Sequence, residues 1–199
     1  MRVSRVQATE NRQTVIDVAS RLFRERGFDG IGLKDLMEGA GLTQGAFYKQ
    51  FASKEDLIAQ ASGRALESAC RRWSAAAEAN PQDPLSAVIA FYLSMEHRAE
   101  RTDGCPVVAL GSDAARQGVD VKASFEAGIR KYLDMVGRWV GEADSEGGKA
   151  MAILSTMVGA VVLARAVNDE RLSQQFLQAA ARGVLMELSA GDAQQGPPQ

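Results

Sequence analysis

The sequence predicts an all-α fold. Apolar residues recur at three- and four-residue spacing from Val15 to Leu188, and no segment alternates with period two. Helix-start and helix-stop residues then divide the chain into segments of helical length. A chain of 199 residues suffices for one or two domains with a large core, and 46% hydrophobic against 24% charged residues is an ordinary globular balance. No internal repeat is visible.

The elements follow in order. Val15, Ile16, Ala19, Leu22 and Phe23 make the apolar face of a first helix, which Gly27 ends in the left-handed manner with Phe28 as the apolar residue behind it. Leu33, Leu36 and Met37 form a second, very short face closed by "GAG". Thr43 opens a third helix from Gln44 to Phe51, and Ser53 a fourth. The fourth carries Leu57, Ala61, Ala65, Leu66, Ala69 and Trp73 until "NPQDP" breaks it near Pro81. A fifth bears Leu85, Val88, Ile89, Tyr92 and Met95, "RTDGCP" is a loop, and a short sixth follows Pro106. Phe125, Ile129, Tyr132, Val136 and Trp139 stripe a seventh, and "GEADSEGG" is the next break. Two helices close the fold: Lys149 to Val167, almost entirely small or apolar, and one carrying Leu172, Phe176, Ala180, Val184 and Leu188. The tail, residues 191–199, has nothing to bury and is expected to be disordered.

Composition limits the functional classes. No apolar run reaches the roughly 18 residues of a membrane span, and "MRVSRVQATENRQ" lacks the apolar core of a secretory signal. A cytoplasmic protein with no membrane partner is therefore expected. Cys70 and Cys105 are too few for a disulfide framework or a metal cluster, and His97 is the only histidine. No Gly-rich phosphate loop is present. The expectation is no enzyme, no metal and no cofactor, a thiol-based activity of Cys105 being the one chemical route left open. His97, beside Glu96 and Arg98, reads as a surface or helix-end residue, or as one directed at a ligand. Residues 1–54 carry nine Lys/Arg against six Asp/Glu, a charge of +3, which leaves −5 for the rest of a chain whose net charge is −2. A basic first quarter on an acidic body is compatible with nucleic-acid binding.

The third helix is too short to be stable alone, yet its ends are well specified. Thr43 is placed to cap it, and Leu42 with Phe47 to staple it. Ser53 with Asp56 makes a capping-box-like start for the next helix. With Phe47 and Phe51 facing inward, Gly45, Ala46 and Lys49 point outward, flanked by Gln44, Tyr48 and Gln50. Gly39 and Gly41 supply a tight turn from the preceding helix. A doubly anchored short helix with donors and tiny residues on its outer face suits insertion into a groove, which is helix-turn-helix geometry. The alternatives are a solvated face on a surface helix, or a helical dimer that binds partner proteins.

Residues 10–60, through "VIDVASRLFRERGFDGIGLKDL" and "AGLTQGAFYKQFASKEDL", resemble the N-terminal domain of the TetR family of bacterial transcriptional repressors. The resemblance implies a helix-turn-helix DNA-binding domain over residues 1–55 and a helical ligand-binding and dimerisation domain over 56–190. It implies that Thr43, Gln44, Gly45, Ala46, Lys49 and Gln50 lie on the major groove, that Tyr48 and Lys54 hold phosphates, and that Lys34 is a further phosphate or base contact. Gly32 stands where the family caps the second helix with Ser or Thr, and Gln50 where His is frequent. Arg2 and Arg5 read as a floppy terminus or as a minor-groove arm.

The implied partners are double-stranded operator DNA, a small-molecule inducer and a second copy of the chain. Trp73, Phe91, Tyr92, Met95, Cys105, Phe125, Tyr132, Met135 and Trp139 are candidate pocket residues or plain core. Met151, Leu154, Val158, Val161, Phe176, Ala180 and Val184 are candidates for a dimer interface, or for the interior of a monomer. Cys105, before Pro106 at a helix start, is a buried small residue or an electrophile or oxidant sensor, since a helix N-terminus favours the thiolate. The function expected is a ligand-responsive repressor released from a palindromic operator.

Overall fold

The computed structural model describes residues 5–141 and 147–194, the side chains of 189–194 excepted. The helices are α1 (Arg5–Arg26), α2 (Leu33–Gly39), α3 (Gln44–Phe47), α4 (Lys54–Ala79), α5 (Pro84–Tyr92), α6 (Met95–Ala99), α7 (Pro106–Ala114), α8 (Val119–Val140), α9 (Gly148–Ala166) and α10 (Glu170–Gln194). All regular structure among the described residues is helical, as the periodicity predicts.

Three boundaries differ from expectation. The fifth predicted helix breaks in two, because the Ser94 hydroxyl accepts from the His97 amide and caps a new start. The third stops at Phe47, one turn early. The last runs to Gln194, so residues 191–194 of the expected disordered tail are helical, and the remainder lies outside the described residues. Arg2 and most of the "GEADSEGG" break also lie outside them.

The chain divides into two compact units, Met1–Ala69 with Arg101–Gly128, and Cys70–Glu100 with Ile129–Gln199. They are not drawn at the expected boundary of 55/56. The reason is a set of polar ties in the first unit. Arg24, its side chain 3% exposed, donates to the Ser20 carbonyl and to the Gly104 carbonyl at 3.1 Å. Arg21 pairs with Asp103 at 3.0 Å, and Asp113 accepts the Phe28 amide at 3.3 Å. These bonds fasten the 101–114 segment to α1. Gly27 ends α1 at φ +75°, its amide bonded to the Phe23 carbonyl, and Phe28 folds back edge-on against Phe23 with ring centroids 5.5 Å apart. The sequence signal for that stop is thereby realised in full.

The second unit is built on an aromatic core and a helix pair. Trp73 stacks on Tyr132 at 4.6 Å and meets Tyr92 edge-on at 5.5 Å, all three rings inside. α9 packs along α10. It is the one described helix long and apolar enough to cross a bilayer, a length the sequence reading assigned to no run. Its inward residues Ala150, Ile153, Leu154, Met157, Ala160, Val161 and Ala164 nevertheless follow the spacing of a helix packed on one side.

Two arginines cross-cap the ends of α6 and α9. Arg98 donates to the Ala164 carbonyl at 3.1 Å, to which the Ser173 hydroxyl also donates, while Arg165 donates to the carbonyls of His97, Arg98 and Glu100 at 3.1, 2.8 and 2.6 Å. Each guanidinium satisfies carbonyls that a helix end leaves open.

His97 is not at the surface. It is 3% exposed, lies 4.5 Å from the Tyr92 ring, and its Nδ1 donates to the Tyr92 carbonyl at 2.7 Å. Burial lowers its pKa to about 4, with Arg165 and Arg72 pushing the same way and the Tyr92 carbonyl and Glu100 opposing. The unfolded imidazole, near its ordinary value of about 6.5, takes up a proton that the folded one refuses. Unfolding free energy is therefore undiminished by this group above that value, falls as pH drops toward 4, and below 4 stays lowered by the accumulated amount without changing further. The slope from this one group reaches about 1.4 kcal/mol per pH unit. Urea unfolding at pH 7 and pH 5 is expected to show a larger loss for the native chain than for His97→Leu; equal losses would contradict the burial effect.

Candidate nucleic-acid interface

The interface is assembled from the turn out of α2 downward. Gly41, at φ +70°, lets the Leu42 amide return to the Met37 carbonyl at 2.9 Å, which turns the chain sharply before α3. Thr43 occupies the N-cap position in extended conformation, but its side chain makes no cap hydrogen bond. The cap seen in the sequence is a position without the bond. α3 itself is a single turn. Past Phe47 the chain is held by the Gln50 and Phe51 amides, both bonded to the Phe47 carbonyl.

What fixes this turn is apolar burial behind it. Phe47 is fully buried and Phe51 nearly so, and their rings stack at 5.4 Å. Tyr48 is 68% exposed while its ring stands edge-on to Phe47 at 5.3 Å, so an outward side chain has a rigid foot. Thr43, Gln44, Gly45 and Lys49 are exposed and Ala46 half-buried. The outward face expected from helical spacing thus survives, although only its first half is helix. Lys34 is exposed on α2 and pairs with Glu38 at 3.8 Å.

The start of α4 matches the capping-box signal with one shift. Ser53 accepts the Asp56 amide at 3.0 Å, while Asp56 reaches back to the amide of Ala52 rather than that of Ser53. Lys54 departs from its expected role. Its ammonium donates to the Phe28 carbonyl at 2.7 Å and to the Ile31 carbonyl at 2.9 Å, closing the loop between α1 and α2. Two of its three donors are committed inside the domain instead of facing a phosphate. Gln50 is half-buried, and its Oε1 is buried with no donor among the described residues, which turns part of its amide away from the outer face. Gly32 caps α2 without a side-chain bond, as expected.

One residue behind this face escaped the sequence reading. Arg12 on α1 donates to the Gln50 carbonyl at 3.4 Å and to Gln60 Oε1 at 2.6 Å, with its guanidinium 5.0 Å over the Phe51 ring. The available signal was its place one turn before Val15 and Ile16, a charge on the buried side of an amphipathic helix.

The other candidates fall in two groups. Cys105 and Phe125 are buried in the first unit, Cys105 at the N-cap position of α7. Trp73, Tyr92, Tyr132 and Met135 are buried in the second unit, where the first three pack on one another as core, and Phe91, Met95 and Trp139 are half-buried. The Arg72 guanidinium covers Phe91 at 5.0 Å and pairs with Glu100 at 2.6 Å. Of the dimer candidates, Met151 is exposed and Val158, Phe176 and Ala180 half-buried. Leu154, Val161 and Val184 are buried within the single chain and have almost no surface left to give a second copy. The apolar surface actually exposed on α9 and α10 comprises Met151, Val162, Leu163, Leu172, Leu185 and Met186. No group of three His, Cys, Asp or Glu is gathered as a metal site among the described residues.

Residues 15–61 match the family model for bacterial regulatory proteins of the tetR family. The chain is 39% identical over 59 residues to the transcriptional regulator AcrR of Shigella flexneri, a match covering 30% of this chain and 27% of that protein. The curated relatives first matched are thus covered over only about a quarter of their length. Solved structures share the fold over most of the chain. A TetR transcriptional regulator from Chloroflexus aurantiacus superposes with a TM-score of 0.75 at 23% identity, covering 90% of this chain and 96% of that one. AibR, solved in complex with isovaleryl coenzyme A and operator DNA, superposes with a TM-score of 0.61 at 16% identity, covering 86% and 96%.

Proposed function

Because the chain belongs to the TetR family of bacterial regulatory proteins, we propose that it is a cytoplasmic, ligand-responsive transcriptional regulator that represses by binding a near-palindromic operator. The observation that carries this reading is the outward Tyr48–Lys49 face on a turn whose other side is the buried Phe47–Phe51 stack. A buried foot and an exposed donor face are what a groove reader needs. Lys49 donates to a base edge, Thr43 and Gln44 lie on the major groove with Gly45 and Ala46 allowing close approach, and Tyr48 holds a phosphate. Lys34 adds a phosphate contact. The chain's role is regulatory rather than catalytic.

Two copies present two such faces about 35 Å apart, in successive major grooves. α9 supports this assembly. Beyond Lys149 in its first turn, its outer side bears Met151, Ala152, Ser155, Thr156, Val162 and Leu163, a stretch without a charge on a helix whose opposite side is already buried. Met186 and Leu185 on α10 extend the apolar surface. A symmetric bundle of α9 and α10 from two chains removes it from water. AibR, bound to both a coenzyme A thioester and operator DNA, illustrates a relative in fold that holds both kinds of partner. In this chain an inducer is proposed to favour the DNA-free arrangement by differential affinity, with α4 carrying the shift.

A second reading concerns Cys105. Its seat at the N-cap of α7, beside a Gly104 carbonyl held by the buried Arg24 guanidinium, puts the sulfur at the positive end of a helix dipole and favours a thiol-based response. Its burial favours plain packing.

Three measurements test these proposals. Lys49→Ala and Tyr48→Ala are each expected to weaken retention of a duplex selected from a random pool by about tenfold or more, with unchanged helical circular dichroism; retention by both at native strength would refute the assigned face. Met186→Asp is expected to shift sedimentation from dimer to monomer, and an unshifted dimer would move the interface elsewhere. Cys105→Ser is expected to abolish release of that duplex by N-ethylmaleimide; release at the native rate would reduce Cys105 to a packing residue.

A further inference from the structure

Past Phe47 the segment carrying Tyr48, Lys49 and Gln50 is closed by the Gln50 and Phe51 amides on the single Phe47 carbonyl, so its shape depends also on what holds it from behind. The stacked rings of Phe47 and Phe51 supply area but little direction. Direction comes from a connected polar system. Arg12 reaches from α1 to the Gln50 carbonyl and, through its second nitrogen, to Gln60 Oε1 at 2.6 Å. The Gln60 amide donates to Asp56 Oδ1 at 2.6 Å, and Asp56 Oδ2 accepts the Ala52 amide at 3.0 Å. The guanidinium plane meanwhile covers Phe51. The turn between the outward face and α4 is thus gripped on both sides of Phe51, at the carbonyl of Gln50 and the amide of Ala52.

We infer that Arg12 is a positioning residue for sequence readout: it sets the path of residues 48–52 and touches no nucleic acid itself. The inference rests on the proposed DNA-reading role of that face. Its consequence differs from that of a phosphate contact, because a guanidinium committed to Gln50, Gln60 and Phe51 releases no counterion on binding. It differs also from that of a residue that only stabilises the fold, because a loosened but folded turn loses discrimination between sequences while the general attraction to phosphates persists. Lysine cannot replace it, since the planar fork is what spans two acceptors while lying over a ring.

The test uses the full chain with Arg12→Lys and Arg12→Met, a duplex selected by the native protein from a random pool, and a scrambled duplex. Binding is read at several salt concentrations, well below each variant's melting temperature. Both variants are expected to bind the selected duplex about tenfold more weakly, the loss expected for one charge-assisted hydrogen bond. Affinity for the scrambled duplex and the salt slope on both are expected to stay unchanged. Should Arg12→Met not fold, Arg12→Lys, which keeps charge and stem, carries the test. Undiminished preference for the selected duplex in either folded variant overturns the inference. So does an equal weakening on both duplexes with a salt slope smaller by about one, which would make Arg12 a phosphate ligand. A native chain that selects no duplex at all removes the DNA-reading premise, and with it this inference.

Discussion

A helix of one turn cannot hold itself together, and the outward face of this protein begins on such a helix. Four residues close too few hydrogen bonds to offset the entropy of ordering them. The turn exists because Phe47 and Phe51 leave water behind it, a burial worth on the order of 3–6 kcal/mol for two such rings. Everything proposed for Tyr48 and Lys49 depends on that stack. An exposed tyrosine on a loose loop samples many directions, whereas one braced against a buried ring keeps a single direction without needing a partner.

The first unit also uses long cations to hold its irregular joints, the α1–α2 loop and the turn before α4. Lys54 and Arg12 both direct donors internally, on carbonyls and one side-chain amide. Each carbonyl they meet belongs to an irregular segment, where no helical or sheet partner is available. Thr43, Gln44, Tyr48 and Lys49 are left exposed on the outer face. That division is economical in physical terms: long cations order the non-helical joints, and a small number of exposed groups remain for recognition.

How far the sequence disclosed this is uneven. Helix existence was legible almost throughout, because burial imposes a 3.6-residue period that the apolar residues display directly. The stop at Gly27–Phe28 and the Ser53 start were legible because each depends on residues adjacent in the chain. The break at Ser94 was not, since an apolar stripe continues across it and a serine is a cap only where its neighbours leave helical geometry. The internal bonds of Lys54 and Arg12 were not legible for a related reason: their partners lie 23 to 48 residues away. His97 fooled the reading in the opposite sense. Its charged neighbours on the short α6 suggested exposure, while the side chain points inward at Tyr92.

α9 shows why periodicity alone could not assign an interface. A helix with one apolar side announces which way it faces, but α9 is small or apolar on both, so periodicity left Leu154 and Val161 open between interface and interior, and both are buried within the single chain. The structure resolves the ambiguity by consuming one side against the rest of the subunit. The remaining side exposes Met151, Val162 and Leu163 to water, with Ala152, Ser155 and Thr156 between them. Small residues allow two helix backbones to approach closely, and unbranched or branched apolar ones then fill the groove that results. A helix selected only for a monomer's interior has no reason to keep charges off its solvent face, where they cost nothing and aid solubility. Their absence between Lys149 and Arg165 is therefore the physical argument for a second copy, and the apolar composition that mimics a membrane span is what a helix buried on both sides by protein requires.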